Sequence, residues 1–137
     1  ARSGTLFLDR NGNGVRDRGE RALKGISVSD GDTVVLTDRK GRYQLPVTGP
    51  CELFVIKPAG YATPTNRYGI SQSYYLYRPE GSSTRMKYPG IAPTEELLSS
   101  VDFPLYPQDE PEDFRILVFG DPQCQQTKDF LARFRNT

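Results

Sequence analysis

The sequence predicts a mainly β fold, a sandwich of short strands, followed by the first strand and helix of an α/β unit. Three observations carry this expectation. The 137 residues include 13 Gly and 11 Pro, which divide the chain into short segments, and 8 Tyr and 7 Phe, which suit strands. Through the first half, apolar residues alternate with polar ones between turn signals spaced roughly eight to twelve residues apart. After the acidic, proline-containing "QDEPED" the pattern changes to an apolar run and then to a helical period.

The elements follow in order. "GTLFL" is the first strand and leads into the polar stretch "DRNGNGVRDRGE". "GISVSDG" resumes with Ile26 and Val28 on one face, and "SDGD" turns it into "TVVLT", because Gly and Asp tolerate positive φ. "DRKG" turns again into "RYQLPV", where Tyr43 and Leu45 share a face, and "CELFVIKP" reads as a central strand buried on both sides. "PAGYATPTNRYG" reads as a loop, "SQSYYLYRPEGS" holds one strand, and "MKYPGIAPTEELLSS" is a long excursion. "VDFPLYP" is expected at a sheet edge, since Pro104 cannot donate to a ladder. Beyond it, "FRILVFGDPQ" is an apolar strand, and "QTKDFLARF" spaces Phe130, Leu131 and Phe134 along one helical face. The expected organisation is a β-sandwich over residues 1–107, a linker over 108–113 and the truncated start of an α/β domain over 114–137.

Composition removes several function classes. With 18 basic and 17 acidic residues there is no global field to attract nucleic acid or an anionic membrane. No window approaches the roughly 18 apolar residues of a membrane span, and the N-terminus has no signal-peptide core, so an exported protein would have lost its signal. There is no histidine, which excludes His-based triads, His general bases and His metal ligands within these residues. Any metal must be held mainly by oxygen. The two cysteines, Cys51 and Cys124, fall in different expected units, which disfavours a disulfide and leaves their pairing open.

The stretch from Asp9 to Glu20 is the densest cluster of oxygen donors in the chain. A calcium loop of the EF-hand type takes side-chain oxygens at positions 1, 3, 5 and 9, a backbone carbonyl at 7, Gly at 6 and a carboxylate at 12. Asp9, Asn11, Asn13, Gly14, Val15 (by its carbonyl), Asp17 and Glu20 supply that series in order. Three carboxylates offset a divalent charge, and the two asparagines add oxygens without further repulsion. Oxygen donors with no His or Cys nearby favour Ca²⁺ over Zn²⁺. The alternative is an Asx-rich turn whose side chains cap their own backbone amides. With strands rather than helices around it, the loop resembles the calcium loops of bacterial adhesin B repeats and dockerins, where such a site stabilises the fold. Asp30 and Asp32 around Gly31 are expected to be ordinary turn chemistry.

Two further motifs carry a resemblance. "TDRKGRYQLPV" resembles the turn and strand of carboxypeptidase-regulatory-like and adhesin-B-like sandwiches, which implies an Ig-like or prealbumin-like architecture. "VFGDPQ" resembles the first metal motif of calcineurin-like metallophosphoesterases. Taken with "YYLYRPEGSSTRMKYPGIAPTEELLSSVDFPL", the chain resembles the N-terminal domain that precedes the catalytic domain in a bacterial group of these enzymes. The resemblance implies that Asp121 is the ligand bridging two divalent metal ions of the parent's catalytic site. Gln123 stands where His is usual, and an amide oxygen favours a harder metal than imidazole does.

No catalytic residue is expected within this fragment, because the other metal motifs of the family are missing, and two-metal hydrolysis needs both ions. The expected function is therefore a non-catalytic accessory domain of a secreted, periplasmic or cell-surface phosphoesterase, with its own catalytic domain as partner. The alternative is a module for a cell-envelope ligand, glycan or protein, suggested by Tyr68, Tyr74, Tyr75, Tyr77 and Tyr88. A structural spacer of the adhesin-stalk type is disfavoured, because the chain contains no internal repeat.

Overall fold

The computed structural model describes residues 1–95 and 98–118. Its strands are β1 (Arg2–Leu8), β2 (Ser27–Ser29), β3 (Val34–Leu36), β4 (Arg42–Leu45), β5 (Cys51–Val55), β6 (Tyr61–Ala62), β7 (Tyr74–Tyr77) and β8 (Phe103–Pro107). They form two four-stranded sheets, ordered β4-β1-β8-β6 and β3-β2-β5-β7. Alternation along each strand sends one set of side chains into the space between the sheets. Leu6, Leu8, Tyr43, Leu45, Phe103 and Leu105 come from the first sheet, and Val28, Leu53 and Val55 from the second. Leu23, Ile26, Val47 and Val101 close the core from connecting segments. Burying each such side chain contributes roughly 1.5–3 kcal/mol, whereas an exposed, solvent-screened ion pair such as Arg42–Asp38 contributes little. The apolar core therefore holds the sheets together. Among the described residues the architecture is all strand, which bears out the mainly β sandwich.

The turns use the residues expected of them. Ile26 and Val28 are both buried, as are Tyr43 and Leu45. Asp30 Oδ1 accepts the amides of Asp32 (3.1 Å) and Thr33 (2.7 Å), and Gly31 takes φ of 97° between them. Asp38 Oδ1 accepts the Lys40 and Arg42 amides at 2.8 and 2.9 Å, closing the turn into β4.

Three local expectations are corrected. β8 is not an edge strand: it lies between β1, to which it is parallel, and β6. Pro104 is tolerated there because β6 pairs only with Tyr106 and Pro107, so at Pro104 the strand has a partner on one flank alone. Tyr61–Ala62, expected within a loop, forms that short sixth strand. β5 is central but buried on one face only: Leu53 and Val55 enter the core while Glu52 and Ile56 face out. The expected apolar strand "FRILVFGDPQ" continues outside the described residues; its described part, 114–118, is exposed. The helix expected over "QTKDFLARF", together with Cys124, lies outside the described residues, whereas Cys51 packs partly buried against the core.

Tyr43 ties the first sheet to the segment entering β8. Its hydroxyl donates to the Val101 carbonyl at 2.8 Å. Burial, with smaller contributions from Asp102 and Cys51, pushes its phenol pKa well above the ordinary value. A raised folded-state pKa means that the stabilisation is complete below the ordinary phenol range and is lost as pH rises through the raised value. Tyr43→Phe is expected to cost about 1–3 kcal/mol at neutral pH by urea denaturation. The same variant should flatten the fall in stability on the alkaline side.

Candidate metal loop

The polar loop begins where β1 ends, and both of its ends are pinned. The Leu8 amide donates to the Arg21 carbonyl at 2.8 Å, and the Asp9 amide to the Leu105 carbonyl at 2.9 Å. Asp9 is only 1% exposed, although the rest of the loop lies at the surface. A carboxylate so placed needs partners, and the loop's own backbone supplies them. Gly12 donates to Asp9 Oδ1 and Gly14 to Asp9 Oδ2, both at 2.7 Å. Those glycines adopt φ of 74° and 76°, the left-handed conformation that turns their amides back toward Asp9.

The other donors fold inward in sequence. Asn11 Oδ1 accepts the Asn13 amide (3.1 Å), and Asn13 Oδ1 the Val15 amide (2.8 Å). Both asparagine side-chain amides reach Asp17 Oδ2, at 2.6 and 2.9 Å. Glu20 closes the loop: Oε1 accepts from the Arg10 amide at 2.9 Å and Oε2 from the Asp17 amide at 3.0 Å. The structure thus brings together the side chains of Asp9, Asn11, Asn13, Asp17 and Glu20 through one hydrogen-bonded wrap. Val15 is exposed, and its amide is part of that wrap.

This arrangement fits a hard cation only as a mixed oxygen set. Among the described residues no three His, Cys, Asp or Glu side chains are grouped as a metal site requires. The three carboxylates alone do not make a cage, and the asparagine oxygens and the Val15 carbonyl are needed to complete one. Each ionised carboxylate has about four lone-pair sites, so two amide hydrogen bonds leave acceptor capacity for a cation. The two asparagine NH₂ groups now directed at Asp17 would have to rotate away.

Asp121 and Gln123 lie outside the described residues. The tyrosines divide as strand alternation requires: Tyr75 packs against the core, Tyr74 faces outward, and Tyr68 and Tyr88 are each 70% exposed on loops. The Arg67 guanidinium lies 4.6 Å from the Tyr68 ring centroid, and the Lys87 ammonium 5.3 Å from that of Tyr88.

Sequence inspection missed a polar groove of about 560 Å³ on the outer face of the first sheet, lined by Ser3, Thr5, Asp38, Arg42, Gln44 and Ser100. Its polar positions were visible as the outward half of the alternation. The pairing of Ser3 with Gln44 and of Thr5 with Arg42 was not. Asp102 was also missed: its Oδ1 accepts the Thr5 amide at 2.7 Å and so fastens β1 to the approach to β8.

Two facing sheets with their polar chemistry in loops and on one outer face define a β-sandwich domain, with a strongly structured acidic loop after its first strand. The family described as the N terminal of calcineurin-like phosphoesterase matches residues 10–89, more than half of the chain, and the chain belongs to that family. No curated protein and no solved structure matches it.

Proposed function

We propose that this chain is the non-catalytic accessory domain of a secreted, periplasmic or cell-surface calcineurin-like phosphoesterase, and that its Asp9–Glu20 loop holds a structural Ca²⁺. The observation that carries the first part is the family match over residues 10–89. "VFGDPQ", after the acidic linker, supports a catalytic domain beginning there, with Asp121 and Gln123 as this chain's contribution to its divalent metals. Those ions would supply activated water and hold phosphoryl oxygens. An extracytoplasmic location belongs to the same reading, and its support is the likeness to adhesin-type sandwiches. For the loop, the support is its ordered oxygen donors and the hydrogen-bonded wrap that gathers the side chains of Asp9, Asn11, Asn13, Asp17 and Glu20. A cation there would stabilise the sandwich rather than take part in hydrolysis.

The test is an assay of the full-length protein on phosphomonoesters and phosphodiesters with added divalent metal, repeated with Asp121→Ala. Activity is expected to fall by more than the roughly 10–100-fold that changes behind a metal ligand cause. Unchanged activity in the variant would overturn the reading.

A second reading, a module for a cell-envelope glycan, draws on the exposed rings of Tyr68 and Tyr88 with their neighbouring cations. A glycan array without hits removes it.

A further inference from the structure

The two outer faces of the sandwich differ in kind. On the first sheet Ser3 and Thr5 of β1 and Arg42 and Gln44 of β4 line the polar groove described above, while Phe7 at the far end of β1 is buried. On the second sheet the outward side chains are largely apolar. The register places Val34, Ser29, Phe54 and Tyr74 in one row across all four strands. A second row runs from Leu36 through Ser27 to Ile56, whose amide donates to the Ser27 carbonyl at 3.0 Å. Val34 is 56% exposed, Leu36 64%, Ile56 46% and Tyr74 48%. Ser27 and Ser29 interrupt the two rows, but the exposed apolar side chains on either side of them share one outer face, and such a grouping marks a contact surface where it is extensive.

The chain's own path indicates what meets this face. After β8 the linker is not loose at its start. Gln108 donates to the Gly60 carbonyl at 3.0 Å, and Gly60 donates to Glu110 Oε2 at 3.0 Å. The other Glu110 oxygen pairs with the Lys57 ammonium. The hydrogen bond from Lys57, then that from Gly60, holds the Glu110 carboxyl pKa below its ordinary value, so the clamp is ionised at neutral pH. Lys57 directly follows Ile56, so the linker is fastened at the end of an apolar row. Beyond Glu110, no hydrogen bond among the described residues ties 111–114 to the sandwich. The roughly four residues from there to Phe114 span at most about 14 Å. The row from Ile56 to Leu36 crosses two strand spacings, about 10 Å. Whatever begins at Phe114 is thus tethered within reach of the apolar face, at a high effective concentration.

We propose that the outer face of the second sheet, centred on Leu36, Ile56, Phe54 and Tyr74, is the docking seat of the domain that follows the linker in this same chain, with the Lys57–Glu110 clamp fixing its point of departure. This rests on the reading that a phosphoesterase domain follows.

The test uses the full-length protein carrying a photoreactive benzophenone amino acid in place of Leu36, with the same group in place of Gln44, on the polar outer face, as control. Cross-links from position 36 are expected within one chain, to residues beyond Phe114, independent of protein concentration, and at least about tenfold more abundant than from position 44. In parallel, Leu36→Glu should speed proteolysis of the 111–113 segment several-fold, while the surface variant Gln44→Glu leaves it unchanged. Cross-links between two chains would replace the occupant with a second copy and overturn the proposal. Absent cross-links at position 36, or equal yields at 36 and 44, would also overturn it. The two readings fail separately. A full-length protein that hydrolyses phosphoesters but gives no cross-link loses the docking seat alone. Cross-links beyond Phe114 in a protein without hydrolase activity would refute the enzyme and leave the seat.

Discussion

Gly4→Ala is expected to destabilise the sandwich by about 3 kcal/mol, a large part of the roughly 5–15 kcal/mol that keeps a domain folded. Gly4 lies opposite Tyr43 in the β1–β4 ladder. A Cβ added there would sit 1.7 Å from the Val101 carbonyl oxygen, 2.6 Å from its carbon and 2.8 Å from Tyr43 Cε1. None of these is the free end of a flexible side chain. The Val101 backbone is held from two sides, by its amide donating to Ser3 O at 3.0 Å and by the Tyr43 hydroxyl on its carbonyl. To admit a methyl group, the segment entering β8 must move, and both contacts move with it. The measurement is urea denaturation of Gly4→Ala beside Ser3→Ala, an exposed neighbour expected to change stability by less than about 0.5 kcal/mol. Equal midpoints for the two variants would contradict the close approach.

Asp9→Ala is expected to cost about 2–3 kcal/mol even without metal. It leaves the Gly12 and Gly14 amides without their acceptor, and each unmet donor costs about 1–3 kcal/mol where water cannot fully replace it. Calcium separates this cost from cation binding. A bound ion stabilises by mass action, about 2.7 kcal/mol at a concentration 100 times its Kd. The melting temperature of the wild-type chain should therefore rise in millimolar calcium, and that of Asp9→Ala should not. Asp17→Asn is the sharper variant. Asp17 is exposed, so in a plain turn the change costs little, but as a cation ligand it loses a charge and with it the calcium response. No calcium shift in the wild type would favour the plain Asx turn.

What was legible in the sequence was local. Ile26 with Val28, and Tyr43 with Leu45, follow from a period of two, and the Asp30 and Asp38 turns from carboxylates that cap amides two to four residues on. The wrap from Asp9 to Glu20 is of the same kind, since nearly all its bonds span a few residues. What failed depends on partners far away in the chain. The position of β8 is set by pairing with β1, and no pattern within "VDFPLYP" encodes it. Acidic residues in a linker look alike until one of them meets Lys57, 53 positions away. Gly4 reads as an ordinary strand glycine until Val101 is placed against it. The outward apolar half of the second sheet was hidden for the opposite reason. In "CELFVIKP" both faces look buried, and only the register shows that Phe54 and Ile56 face away from the core.

The parallel pairing of β1 with β8 also sets a timetable for synthesis. The first strand to leave the ribosome can pair with β4 early, but its other flank has no partner until the last strand of the sandwich has been made, about a hundred residues later. At roughly 5–20 residues per second, that is a wait on the order of 5–20 s. During it the flank of Leu6, Phe7 and Leu8 that later meets Phe103, Pro104 and Leu105 is open to any passing strand. The nascent chain is therefore most exposed to mispairing and to chaperone capture just before its linker emerges. The length of that exposure is set by the speed of synthesis between the two strands and not by the stability of the finished fold.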